Sequence, residues 1–182
     1  MWGGVEQAMT SVDGHELRES PMGKGDGVFA VRPFLVGDTV MVGVVQRRLA
    51  VNHSHASQVS RTEYVELGGL SSKVNHSCDP NCGVRGNPSG GYDLVARRAL
   101  TPGDEITFDY AMRNYQVEHF PAPCRCGSAL CRGVVTGWSG LSDVRKTAYA
   151  GLVAPYLLEI DRADRRSGPA AAAPTERIRL GS

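Results

Sequence analysis

From Leu17 to Val45 the chain reads as short runs of Val, Leu, Phe and Met, cut every few residues by turn-formers: Pro21-Met22-Gly23, Gly25-Asp26-Gly27 and Val36-Gly37-Asp38. Apolar runs of that length bounded by Gly, Pro and Asp predict short β-strands rather than helices. On the same grounds strands are predicted over 57–59, 62–67, 93–98 and 105–108. No stretch of the first 120 residues carries the spacing of a long amphipathic helix. That spacing comes late, where Leu141, Val144, Ala148, Leu152 and Val153 share a face. Ser142 is its N-cap, and Pro155 forces a break or a restart. The apolar face reads as core packing.

The ends differ from the middle. Residues 1–15 lack sustained periodicity and read as a loose lead-in, with room for one short strand. Residues 162–182 are rich in Pro, Ala and Arg and poor in bulky apolar side chains, so they cannot offset the entropy of ordering and are expected to be a disordered tail. Between them lie a mostly β body (16–120), a cysteine-rich loop (121–138) and a helical segment (139–161). With 182 residues, 41% of them hydrophobic, the chain can bury one core.

Charge narrows the function classes. Twenty Lys and Arg against 19 Asp and Glu leave a formal charge of +1, which offers no basic surplus to neutralise a phosphate backbone. Nucleic acid is therefore not expected as the primary ligand. No apolar run approaches the roughly 20 residues that span a bilayer, and Met1-Trp2-Gly3-Gly4 opens no secretory leader. The expectation is a soluble, cytoplasmic protein without a membrane partner.

Five cysteines fall in two groups, Cys78 with Cys82 and Cys124 with Cys126 and Cys131. An odd, clustered set points to ligation of a soft metal rather than to a disulfide framework. Zinc takes four thiolate or imidazole ligands in a tetrahedron, and the second group supplies three. The fourth comes from Cys78, from Cys82, or from one of His53, His55 and His76. Closed ligation of that kind makes the metal structural, pinning a poorly packed loop to the body.

Two further motifs precede the cysteine trio: Asn75-His76-Ser77-Cys78-Asp79-Pro80-Asn81, and Asp104-Glu105-Ile106-Thr107-Phe108-Asp109-Tyr110. The tetrapeptide Val-Asn-His-Ser occurs twice, at 51–54 and 74–77, but only the second copy is followed by a cysteine. An echo of four residues is too short for a structural repeat, and His53 and His55 read as loop residues.

The ordered combination NHSCDPN, GDEITFDY and CRCGSALCRG resembles the SET-domain protein lysine methyltransferases with a post-SET zinc loop, in a compact form of bacterial type. The glycine turn Gly23-Lys24-Gly25-Asp26-Gly27 is similar to the family's N-terminal turn, and the likeness runs over about residues 16–138. It implies a mostly β SET fold: short sheets around a knot-like threading, a post-SET zinc loop, then the terminal helix. It implies S-adenosylmethionine as cofactor, held by Lys24, Gly25, Gly27, Asn75, His76, Tyr110 and Trp138. Structural zinc would be bound by Cys78, Cys124, Cys126 and Cys131, leaving Cys82 spare. Tyr110 matches the catalytic tyrosine, and Tyr64, Phe108, Tyr115 and Phe120 are candidates for the substrate channel. Asp109 is expected to fix the turn rather than to do chemistry.

The implied activity is methylation of a lysine side chain in a protein substrate. A small-molecule amine as acceptor, or a non-catalytic zinc-stapled module that binds a peptide or the cofactor, are the alternatives. The sequence lacks a cysteine-rich array before residue 20 and has only a short stretch between Val59 and Val74, where relatives insert a substrate-gripping subdomain. Substrate identity and oligomeric state stay open, a dimer through the C-terminal helix being one option.

Overall fold

The computed structural model describes residues 11–12, 14–120 and 123–166. Eleven strands occur among them: β1 (Ser11–Val12), β2 (His15–Glu19), β3 (Asp26–Ala30), β4 (Thr39–Met41), β5 (Val45–Leu49), β6 (Ser57–Gln58), β7 (Tyr64–Leu67), β8 (Asn75–His76), β9 (Cys82–Gly86), β10 (Tyr92–Ala96) and β11 (Thr107–Phe108). They form four small sheets, in the orders β1-β2-β3, β4-β10-β9, β5-β7-β6 and β11-β8. The protein is mostly β, as the punctuated apolar runs predict. The polar strand β5, reading VQRRL, carries no alternation that marks it in advance. It exists because β7 pairs with it.

Two local features set up the site. Antiparallel β2 and β3 are joined by a turn in which Met22, Gly23 and Gly25 all have positive φ (68°, 65° and 79°). Glycine reaches that conformation without strain, and the turn closes with Ser20 N–H donating to Gly25 O at 2.8 Å. The second feature is the parallel pair β8-β11, in register Asn75 with Thr107 and Phe108 with His76. Ser77 N–H extends it to Phe108 O at 3.1 Å. The Asn-His-Ser motif and the Phe-Asp-Tyr motif thus lie side by side.

The helical spacing resolves into two helices, α1 (Asp143–Ala148) and α2 (Pro155–Arg166). Ser142 caps α1 through its hydroxyl. Gly151, at φ 82°, turns the chain before Pro155 restarts it. Helix α2 runs to Arg166, so residues 162–166 are its last turn and not the start of a tail. Residues 167–182 and 1–10 lie outside the described residues. Tyr156, Leu157 and Ile160 of α2 are buried in the chain's own core. That core also seals Phe34, Leu100, Ile106, Phe108, Met112 and Trp138.

Candidate active site

Asn75, on β8, has both amide hydrogens committed: Nδ2 donates to Asp26 O at 3.0 Å and to Glu105 Oε1 at 2.9 Å. Both partners only accept, which fixes the amide's orientation. Oδ1 is left as an acceptor on a cavity of about 220 Å3 lined by Gly23, Lys24, His76, Tyr110, Cys124 and Val135 among others. Glu105 is the hub behind this wall. Besides Asn75 it accepts from Ser20 Oγ at 2.7 Å and pairs with Lys24 Nζ at 2.6 Å. Sequence reasoning missed Glu105, because its partners lie on two segments far from it in sequence, the β2–β3 turn and β8.

Gly27 stands against the hub. A Cβ there would come within 2.6 Å of Glu105 Oε1 and 2.9 Å of Asn75 Nδ2, closer than real contacts allow. Gly25 shapes the turn that presents Lys24 but does not itself line the cavity.

Tyr110 follows β11 and has its ring packed near His76, Phe108 and Phe120, with centroids 5.2, 5.0 and 4.7 Å away. Its hydroxyl donates to Val74 O at 3.2 Å, leaving the oxygen lone pairs to accept. Burial pushes this phenol up to about 12, so it is neutral at physiological pH. Its backbone N–H donates to Nδ1 of His76 at 3.2 Å. The other imidazole nitrogen lies 3.3 Å from Cys78 Sγ, which puts the proton on Nε2. Burial holds this imidazole down at about 4, in keeping with a neutral ring.

Tyr110 and Phe120 also line a second cavity, of about 20 Å3, with Asn52, His53, Ser54, Arg113, Glu118 and His119. A third, of about 190 Å3, joins Lys24, Ser54, His55, Lys73 and Asn75 to the same two rings. The first Val-Asn-His-Ser copy, read from sequence as loop alone, is loop that lines these two cavities with the tyrosine. Only the residue echo hinted at it.

Three expectations are corrected. Trp138 does not reach the cavity: it is 1% exposed, its Nε1–H donates to Asp161 Oδ2 at 2.9 Å, and Lys146 Nζ sits 5.0 Å over its ring. An indole needs both an apolar bed and a polar partner when buried, and the C-terminal helices supply them. Val135 takes the lining position instead. Tyr64 and Tyr115 line none of the three cavities that Tyr110 lines. Tyr115 is fixed instead by its backbone, N–H to Gln58 Oε1 at 3.0 Å. Phe108, 1% exposed, backs Tyr110 from the core.

The sulfurs of Cys78, Cys124, Cys126 and Cys131 all lie within 4.8 Å of one another. Tetrahedral zinc with bonds of about 2.3 Å needs sulfurs about 3.8 Å apart, and Cys78 to Cys124 is 3.9 Å. The donor set fits the ion. Backbone N–H groups of Arg132 and Gly133 donate to Cys78 and Cys131 sulfurs at 3.4 Å. Burial raises the Cys78 thiol to about 11 and raises Cys124 further. At Cys126 burial is outweighed by hydrogen bonds with the Cys78 and Ser128 backbone, and the thiol falls to about 7. A divalent cation supplies the charge that lets all four ionise. Cys82, fully buried on β9, belongs to the core.

The loop is tied down on several sides. Arg125 donates to Gly23 O at 3.2 Å. Arg145 of α1 donates to Cys78 O at 2.6 Å and Leu130 O at 3.0 Å. Arg132 forks onto Asp109, which also accepts from Tyr149 Oη at 2.9 Å and from Ala111 N–H at 3.1 Å. Asp109 is indeed the turn's fixing residue, and it anchors the loop besides.

Fold and site define a mostly β protein in which Tyr110 borders two cavities, with a four-cysteine cluster whose loop lines the first. Residues 25–111 match the SET domain family. It is 29% identical over 141 residues to the histone-lysine N-methyltransferase, H3 lysine-36 specific, of Aspergillus fumigatus, covering 71% of this chain and 14% of that protein. It is 30% identical over 148 residues to the histone-lysine N-methyltransferase ash1 of Drosophila melanogaster, covering 75% of this chain and 6% of that one. Among solved structures, KRYPTONITE in complex with mCHH DNA, an H3(1-15) peptide and SAH matches with a TM-score of 0.51 at 26% identity. That match covers 65% of this chain and 29% of the other. The chain therefore spans a small part of the length of these relatives.

Proposed function

We propose that the protein is an S-adenosylmethionine-dependent N-methyltransferase acting on the lysine side chain of a protein or peptide. The observation that carries this reading is that Tyr110 and Phe120 are common to two cavities whose other lining residues all differ. One cavity would hold the cofactor and the other the acceptor, so that the reacting atoms meet at the phenol. Relatives named histone-lysine N-methyltransferases, and a structural neighbour holding SAH and an H3 peptide, support the same assignment.

Bound in the first cavity, S-adenosylmethionine supplies a methyl group on a positively charged sulfur. Asn75 Oδ1, whose amide has no donor left to offer, suits the cofactor's ammonium, and Lys24 suits its carboxylate. The His76 backbone and Val135 would border the remainder. Zinc on Cys78, Cys124, Cys126 and Cys131 would hold the loop that contributes Cys124 and Cys126 to the cavity wall.

Transfer needs an uncharged amine in line with the methyl and the sulfur. At pH 7 a lysine of ordinary pKa near 10.4 gives up about 4 to 5 kcal/mol to become neutral. Tyr110 is not the base, because its own proton is held up to about 12 and directed at Val74 O. Its oxygen is an acceptor that can orient the amine's N–H. Most of the rate enhancement is assigned to orientation, with Phe120 giving an apolar wall that disfavours the ammonium. All five cysteines are free thiols, which suits a reducing compartment, and the cytoplasm is the proposed setting.

The test is calorimetric titration of zinc-replete protein with S-adenosylmethionine, with metal content measured on the same sample, followed by labelled-methyl transfer into lysate proteins. One cofactor and about one zinc per chain, with label on lysine, is the expected result. Tyr110→Phe should keep cofactor affinity within about twofold and lower transfer by at least about a hundredfold. Cofactor binding without label on any protein would leave a binding module instead of an enzyme.

A further inference from the structure

Arg113 is the residue that ordinary folding rules do not explain. It caps the 3-10 turn Tyr110–Met112, is 8% exposed, and its guanidinium lies 4.8 Å over the Phe108 ring. Among the described residues its side chain has neither an ion pair nor a hydrogen bond, and its Nε is buried without a partner. Buried guanidinium groups are ordinarily paired with carboxylates, because an unpaired charge in low dielectric is costly. This one lines the second, small cavity together with Tyr110.

Its surroundings are neutral. Tyr92 on β10, Tyr156 on α2 and Tyr110 itself are the ionisable groups that face it, and burial raises all three phenols. Tyr156 does not touch the guanidinium with a hydrogen bond: its hydroxyl donates to Arg113 O at 2.8 Å and fixes the backbone. Tyr92 Oη donates to Gln58 O at 2.9 Å. Around the cavity the other ionisable side chains are His53, His119 and Glu118, and Glu118 is the one acid among them. Asp109, next to Tyr110 in sequence, is already paired with Arg132.

Resting on the methyl-transfer reading above, we propose that Arg113 is an electrostatic positioning residue: its uncompensated positive charge behind Phe108 makes the acceptor site electropositive, so that lysine enters as the neutral amine. A like charge disfavours the charged form of a group nearby, and an apolar, water-poor surround strengthens the effect. The proton leaves to solvent before transfer, and the amine's lone pair then forms the C–N bond as the C–S bond breaks. A rule of folding broken without local compensation is expected at a functional site. The stability sacrificed at Arg113 becomes a lower barrier to deprotonation at the acceptor.

The experiment compares wild type, Arg113→Met and Arg113→Lys, each zinc-replete. Three readouts are taken: melting temperature, S-adenosylmethionine affinity, and initial rate of labelled-methyl incorporation into total lysate protein from pH 6.5 to 10. Arg113→Met should melt higher than wild type, bind the cofactor as tightly, and incorporate methyl about tenfold more slowly at pH 7.5. Its rising pH limb should shift about one unit upward and meet the wild-type rate at the alkaline end. Arg113→Lys, which keeps the charge, should keep the wild-type limb. A merely structural role predicts the opposite pairing, with Arg113→Met melting lower and losing rate by the same factor at every pH, and that result overturns the proposal. So does an unmoved limb. A wild-type protein that binds the cofactor but labels nothing at any pH would overturn the methyl-transfer reading first, and the role of Arg113 with it.

Discussion

Arg132, the residue after the last loop cysteine, grips Asp109, the residue before Tyr110, through Nη2 to Oδ1 at 2.9 Å and Nη1 to Oδ2 at 2.5 Å. Asp109 is fully buried and the Arg132 side chain is 15% exposed, so the pair is shielded from water. The thiol loop and the tyrosine strand are thereby locked to each other, and the geometry of one depends on the other.

Removing one partner of a buried pair leaves the other uncompensated, at a cost of about 3–5 kcal/mol. Arg132→Met should lie near the lower end, since Tyr149 Oη and Ala111 N–H still reach Asp109. Urea denaturation checks the stability, and titration with S-adenosylmethionine checks that cofactor affinity falls with it. An unchanged affinity would mean that the loop holds its place without this contact.

Metal content separates the two cysteine groups. Cys126→Ser should lower bound zinc and weaken cofactor binding by at least about tenfold, whereas Cys82→Ala should keep one zinc per chain and cost stability alone, about 1 kcal/mol for the lost core volume. Chelation of the wild type should reproduce the first effect and added zinc should reverse it. The readouts are metal analysis and calorimetry on the same preparations.

Gly27→Ala tests the hub at Glu105. Its added methyl group must displace the Glu105 carboxylate or the Asn75 amide, at 2.6 and 2.9 Å. Cofactor affinity should fall about tenfold or more, because Asn75 Oδ1 loses its fixed direction. A variant that binds as wild type would show that the hub does not set the cavity wall.

Alkali should unfold the protein from its buried phenols. Burial first, and then the charge of Asp109, raise Tyr149 to about 12, and burial raises Tyr110 to about the same value. Folded values above the unfolded value near 10 mean that their contribution is complete below pH 10 and is lost as pH climbs through 12. The urea midpoint should therefore hold from pH 8 to 10 and drop between 10 and 12. Tyr149→Phe should flatten that drop.

What could be read from the chain alone was what neighbouring residues settle among themselves. Short runs between Gly, Pro, Asn and Asp marked β3, β4, β6, β7, β10 and β11 because strands of that length need only a turn at each end. The thiol trio, the Asn-His-Ser-Cys segment and the Phe-Asp-Tyr segment were legible because ligand chemistry and family resemblance reside in residue type and order. Cys78 was singled out over Cys82 by that resemblance. Its physical reason is tertiary: Cys78 sits where the loop arrives, while Cys82 begins a strand whose side chain faces the core. Other outcomes were likewise decided by packing between distant segments. Glu105 became a hub, Trp138 withdrew from the cavity to reach Asp161, and the first Val-Asn-His-Ser copy came to face Tyr110. Among the described residues, Arg113 was left without a counter-ion beside Phe108. Each of these depends on the parallel pairing of β8 with β11 and on the C-terminal helices closing over the core. Contacts of that kind form between residues far apart in sequence, and no local pattern of side chains encodes them.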